Sequence, residues 1–269
     1  MQESTSRSSY PNRSRGSLAF RISAWTRALV VGAVATLSAC QNLNLYTVEE
    51  DRQIGLAAYQ ETLGGAAILR SGSRAAMVER VMENLRGAME DDLGFEWEVQ
   101  LVDDASVVNA WALPGGKMAV YTGILPVTQD EDGLAAVMGH EMAHATLRHG
   151  TQRMSREVLS QTALGILLDQ AGAQDYAQLG ELARQVVLTL PYGREQELAA
   201  DVEGMMYMAR AGYDPRAAPA LWRRMSELGS GGGVDILSTH PSDEQRIQNL
   251  EARLPEALKA YELARGVRP

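Results

Sequence analysis

Residues His140-Glu141-Met142-Ala143-His144 constrain this chain more than any other stretch. On an α-helix, side chains four positions apart lie about 40° from each other around the axis, so both imidazoles can reach one metal ion. Glu141 sits about 100° round from His140, beside such an ion, placed to act on a water rather than to bind the metal. The flanks suit a helix over 131–149, with Asp130 and Asp132 near its start, Arg148 and His149 in its last turn and Gly150 as a stop. Gly139 within it costs on the order of 1 kcal/mol relative to Ala; close approach by another backbone, or simple tolerance, explains it. His149 follows His140 by nine residues, about half a turn round a straight helix, and so points away from the metal as a helix-end residue. Exposed His and Glu on a helix can form the same five-residue pattern by chance, so the metal reading needs a third ligand from elsewhere in the chain.

The chain has 269 residues, 45% hydrophobic and 22% charged, which is globular composition. A net charge of −9 argues against a nucleic-acid partner. The basic residues at the start form a separate segment: Arg7, Arg13, Arg15, Arg21 and Arg27 against the single acid Glu3. From Ala28 to Ala39 the chain turns apolar over 12 residues, too short to span a bilayer but suited to a signal-peptide core. It ends Leu37-Ser38-Ala39-Cys40, which resembles the lipobox of bacterial lipoproteins, whose Cys becomes the lipidated first residue of the mature chain. Cys40 is the single cysteine, so a disulfide within the chain and a Cys-rich zinc module are both excluded. The organisation expected is a lipoprotein signal peptide over 1–39, a lipidated tether over 40–46 and a single domain over 47–269, with an ordinary secretory leader as the alternative. Gln41 after the Cys, by resemblance to Gram-negative lipoproteins, implies sorting to the outer membrane and a lipid-anchored location on its periplasmic side.

The expected fold class is α+β, mostly α-helical, with a small antiparallel three-stranded sheet. Residues 47–69 and 73–90 read as amphipathic scaffold helices. Phe95 to Val102 alternates apolar and polar and reads as a strand; Val107–Leu113 and Met118–Tyr121 follow, joined by a Pro114-Gly115-Gly116 hairpin turn. An exposed edge strand can hold an extended peptide across a metal. Asn109-Ala110-Trp111 is the candidate substrate-binding edge, and a plain scaffold strand is the other reading. Thr122–Thr128 suggests a short helix. Helices over 151–169 and 174–189 follow, the first containing the apolar run 163–168, a buried core segment or a substrate-facing wall. Toward the C-terminus, Asp214-Pro215 starts a helix, Gly229–Gly233 is a loop, Ser242 to Gln245 is a capping box opening a helix over 243–253, and Pro255 starts the last one.

A second constellation supplies candidates for the missing ligand. Glu197 and Asp201 lie four apart on one helix face, and Gly204 continues the same stripe, where missing bulk lets another helix come close. Zinc sites of the thermolysin type complete His-Glu-x-x-His with a Glu from a later helix. Asp201 is spaced to accept a hydrogen bond from the far nitrogen of a ligand His. A solvated acidic face is the alternative reading of this stripe. His240-Pro241 stands before the capping box, either as a functional His or as a solvent-exposed one.

Together, His140-Glu141-Met142-Ala143-His144, Glu197-Leu198-Ala199-Ala200-Asp201, Asn109 to Gly116 and His240-Pro241 resemble metallopeptidase family 48, the HtpX/Oma-type group, over about Thr47 to Leu254. Within it, the chain is similar to the compact periplasmic lipoproteins that lack a tetratricopeptide domain. The resemblance implies a gluzincin-type fold, one Zn2+ per chain and endopeptidase activity in envelope protein quality control, with unfolded or misassembled envelope proteins as substrates. By that resemblance His140, His144 and Glu197 hold zinc, and Glu141 is the base that takes a proton from the attacking water and passes it to the leaving amine. Asp201 orients a ligand imidazole. His240 either stabilises the oxyanion or caps the zinc at rest. The rival class is a non-proteolytic periplasmic chaperone or assembly lipoprotein with a structural zinc. A deformylase-like hydrolase needs a Cys ligand, and Cys40 lies in the leader.

Overall fold

A computed structural model describes residues 43–163, 176–229, 234–241 and 244–266. The leader with Cys40, the apolar run from Leu164 to Leu168 and the capping residue Ser242 lie outside the described residues. Thr47 opens the first helix, α1 (Val48–Leu63), through a reciprocal capping box with Glu50. α2 spans Ser73–Gly87. The strands are β1 (Glu98–Val102), β2 (Ala110–Leu113) and β3 (Lys117–Tyr121). A short α3 (Leu125–Thr128) leads into α4 (Glu131–Thr146), followed by α5 (His149–Ala163), α6 (Tyr176–Thr189), α7 (Arg194–Arg210), α8 (Ala217–Gly229), α9 (Ile236–Thr239) and α10 (Glu244–Ala264). No helix among the described residues is long and apolar enough to cross a membrane.

The sheet has the three expected strands, but it is mixed rather than antiparallel. Its order is β1-β3-β2, with β2 antiparallel to β3 and β1 parallel to it. β2 and β3 are both buried without alternation, so burial alone does not mark the central strand. The segment after β1 carries the chain past β3 to pair β2 on the far edge, and β3 takes a partner on each side. The turn between β2 and β3 depends on Gly115 and Gly116, at φ 79° and 89°.

α4 is the centre of the molecule. Asp130 caps it by accepting from the Gly133 amide at 2.9 Å. Every residue from Gly133 to Ala145 is buried, as befits a helix that is largely apolar all round. α7 crosses α4 with backbone against backbone. A Cβ on Gly139 would stand 2.8 Å from the Gly204 carbonyl oxygen, and one on Gly204 would stand 2.6 Å from the His140 amide nitrogen. The two glycines are each other's reason for being glycine.

The structure corrects two expectations about helix ends. The helix over 131–149 stops at Thr146, and Gly150 does not end it. Arg148 turns into the left-handed region at φ 56°, and His149 and Gly150 open α5. That conformation is disfavoured for a residue with a side chain. It is held by a pair across the fold: the Arg148 guanidinium donates to buried Asp51 at 2.5 and 3.1 Å and to the Tyr46 carbonyl at 2.6 Å. Further on, Pro255 lies inside α10 rather than starting a helix of its own. It is exposed, so the carbonyl it leaves without a donor faces water, and the helix continues through it.

Gly204→Ala forces its methyl into the α4 backbone. It should lower the free energy of unfolding by about 1–3 kcal/mol and reduce bound metal in parallel. Urea titration and metal analysis check this, and an unchanged midpoint would show that the helices separate freely.

Candidate metal centre

The crossing of α4 and α7 places His140 and His144 opposite Glu197. His240 arrives from a different part of the chain, immediately after α9. Its position is set by α9's ties to the segment before β2: the Ile236 amide donates to the Val108 carbonyl at 3.1 Å, and the Val108 amide to Asp235 at 2.9 Å. One ligand atom from each of His140, His144, Glu197 and His240 lies within 4.8 Å of all the others, and all four residues are buried. Nε2 of His140 is 3.1 Å from Nε2 of His144 and 3.2 Å from Nδ1 of His240. Glu197 Oε1 is 3.3 Å from His144 Nε2 and 3.0 Å from His240 Nδ1.

Glu141 faces the same centre from the side. Its Oε1 is 3.4 Å from His240 Nε2, is buried, and makes no hydrogen bond among the described residues. The Ala112 backbone amide hydrogen-bonds the Glu141 carboxylate, so the free edge of β2 runs directly beside it. Of the candidate substrate strand, Ala110 and Trp111 belong to this edge strand and Asn109 immediately precedes it. The Trp111 ring turns inward, edge-on to Tyr59 at 6.1 Å, so this edge meets the centre through its backbone. Asp201 Oδ1 lies 3.0 Å from His140 Nδ1.

Sequence reasoning misplaced His149 and missed three further residues. The break at Arg148 swings His149 inward, and its Nδ1 comes within 3.0 Å of His144 Nδ1. Arg246 is fully buried. It donates to Asp201 at 2.8 and 2.7 Å, pairs with Glu197 at 2.6 Å, and lies over the Trp222 ring at 4.0 Å. Trp222 in turn meets His140 edge-on at 5.0 Å. Tyr192 lies 4.0 Å from the His144 ring and stacks on His240 at 5.0 Å. The inward stripe Arg246, Ile247 and Leu250 of α10 is a helical pattern that could have marked Arg246. Trp222 lies on a similar stripe of α8 with Ala218, Leu221 and Met225, whereas Tyr192 leaves no such trace.

The electrostatics ask for a cation. Burial pulls the His140 imidazole down, but Asp201 and Glu197 more than offset it and raise its pKa to about 9. Burial holds His144 well below the ordinary imidazole range, so its lone pair stays available. Burial raises Glu197, yet His240, His140 and His144 together carry it well below the usual carboxylate value. Glu141 is raised, chiefly by burial. Arg246 pairs with Glu197 and Asp201, while Glu141 keeps one buried oxygen without a hydrogen-bond partner among the described residues, so the centre still presents acidic oxygen to a cation. Imidazole nitrogens with one carboxylate are a donor set that zinc takes readily, and the residues fit it.

A model of Peptidase family M48 matches residues 69–254. The chain is 34% identical over 223 residues to the mitochondrial metalloendopeptidase OMA1 of Schizosaccharomyces pombe, covering 81% of this chain and 65% of that protein. It is 34% identical over 176 residues to the protein of the same name from Saccharomyces cerevisiae, covering 63% of this chain and 50% of that one. It is 23% identical over 246 residues to metalloprotease YcaL of Escherichia coli, covering 84% of this chain and 95% of that protein. The chain thus spans between half and two thirds of the length of the two mitochondrial relatives.

Arg246→Ala leaves Glu197 and Asp201 buried without their counter-charge. It should destabilise the fold by about 3–5 kcal/mol, read by urea unfolding. A loss below 1 kcal/mol would mean that other groups neutralise these carboxylates.

Proposed function

The chain belongs to peptidase family M48, a family of zinc metalloendopeptidases, and we propose that it hydrolyses peptide bonds in misfolded or misassembled proteins of a bacterial envelope. The observation that carries the catalytic reading is Glu141: a buried carboxylate with one free oxygen, beside the converging donors His140, His144 and Glu197.

Zinc held by His140, His144 and Glu197 would supply Lewis acidity to the scissile carbonyl and to the attacking water. Glu141 accepts the proton of that water at Oε1 and delivers it to the leaving amine nitrogen. Burial has raised its affinity for a proton, which suits both halves of the transfer. Asp201 keeps His140 facing inward by engaging its Nδ1, and Arg246 holds Asp201 and Glu197 in place. Substrate backbone pairs with the free edge of β2 at Asn109-Ala110-Trp111, which lays it alongside Glu141. His240 occupies the place that a substrate carbonyl needs. Its Nδ1 lies 3.2 Å from His140 Nε2 and 3.0 Å from Glu197 Oε1, among the donors themselves, so His240 caps the centre in this arrangement and moves aside when peptide enters. From there its ring can donate to the developing oxyanion.

The envelope location is supported by the leader pattern. The basic segment, the 12-residue apolar run and Cys40 at its end make a lipoprotein signal, which would tether the domain to the periplasmic face of the outer membrane. A chaperone with a structural zinc gives no role to Glu141, whose burial is otherwise an uncompensated cost.

Glu141→Gln should keep zinc at the parental stoichiometry while casein cleavage falls on the order of 10²–10⁴-fold. Retained cleavage in a gel-based assay sinks the general-base role. Cys40→Ser should move the protein from the membrane fraction to the soluble one. Continued sedimentation with membranes rejects the lipid anchor.

A further inference from the structure

The two imidazoles of α4 are held from behind in different ways. His140 directs Nε2 into the donor cluster and turns Nδ1 to the Asp201 carboxylate at 3.0 Å. His144 also directs Nε2 into the cluster, but its Nδ1 faces another imidazole, Nδ1 of His149, at 3.0 Å. A histidine that offers its lone pair at one nitrogen carries its proton on the other. His144 therefore has its proton on Nδ1, and the atom 3.0 Å away has to accept it. Two N–H groups cannot share that distance. The His149 ring is consequently neutral, with its own proton on Nε2.

We propose that His149 is the positioning residue of His144, a neutral acceptor that sets the tautomer and ring plane through which His144 presents Nε2 to the metal. The inference rests on the metallopeptidase reading of the cluster. The fold goes to some length to build this contact. On a continuous helix His149 would point about half a turn away from His140. The left-handed turn at Arg148, clamped by buried Asp51, breaks the helix and brings His149 back against His144. The two rings then meet edge-on, 5.0 Å apart at 70°, while Tyr192 covers His144 at 4.0 Å. His144 is left with one orientation.

A neutral acceptor adds no further buried charge to the carboxylates Glu141, Glu197 and Asp201 already gathered at the site.

The test compares His149→Asn, which keeps an acceptor at the position of Nδ1, with His149→Phe, which keeps bulk and removes the acceptor. Zinc affinity is measured by competition with a chromophoric chelator, and the cobalt-substituted proteins are examined by visible absorption. His149→Phe should bind zinc 10–100-fold more weakly and shift the cobalt bands, while His149→Asn restores both. Equal affinity and an unchanged spectrum in His149→Phe overturn the proposal, as does equal impairment of both variants, which would mean packing alone. Should His149→Phe fail to fold, histidine ¹⁵N NMR of the zinc-loaded parent decides instead. It should show His149 protonated on Nε2, and a proton on Nδ1 overturns the assignment. A parent protein that takes up no zinc fails the metallopeptidase reading itself, an outcome distinct from parental binding that His149→Phe leaves unchanged.

Discussion

The contact between Gly139 and Gly204 is the constraint on which the rest of the site depends. Two helices with ordinary side chains at their crossing are kept apart by those side chains. Here the α4 backbone touches the α7 backbone, because a methyl on either glycine would come within 2.8 Å of the other helix. His140 follows Gly139 directly, and Glu197 and Asp201 lie two turns and one turn before Gly204 on the same stripe. The closeness of the backbones is what allows short side chains from two helices to converge on one point.

Convergence carries an electrostatic penalty, and the fold answers it from a third direction. Carboxylates brought together in a buried space repel one another and lose their hydration. Arg246, from the first turn of α10, neutralises Glu197 and Asp201 together. The same guanidinium donates to the Pro241 carbonyl at 3.0 Å, so the residue that balances the charge also fixes the segment that presents His240. What remains uncompensated is what the metal supplies. Charge balance, ligand placement and the cap over the centre therefore share one set of contacts.

Legibility followed the range of the interaction. The spacing of His140 and His144, and of Glu197, Asp201 and Gly204, could be read directly, because the helical period is local and repeats every 3.6 residues. The three strands and the turn at Gly115-Gly116 were legible for the same reason. The pairing of the strands was not. Alternation marks a strand and its faces but does not say which strand lies in the middle. The end of α4 was misread because the break at Arg148 is held by Asp51, 97 residues away in the chain. Residue preferences alone favour continuing to Gly150. His149 went with that error, since its direction was calculated for a straight helix.

By itself, then, the sequence determined the chemical class: paired imidazoles, an adjacent carboxylate and a later Glu-x-x-x-Asp, each set on one face of one helix. It also carried the small residues that permit the crossing. Tertiary structure decided how those sets meet. It placed Arg246 between the carboxylates, packed Trp222 and Tyr192 on the imidazoles, laid the edge of β2 along Glu141 and returned His149 to the back of His144. These contacts join segments far apart in the chain. Their energy comes from burial and charge compensation, which exist only once the segments are packed, so no local periodicity records them.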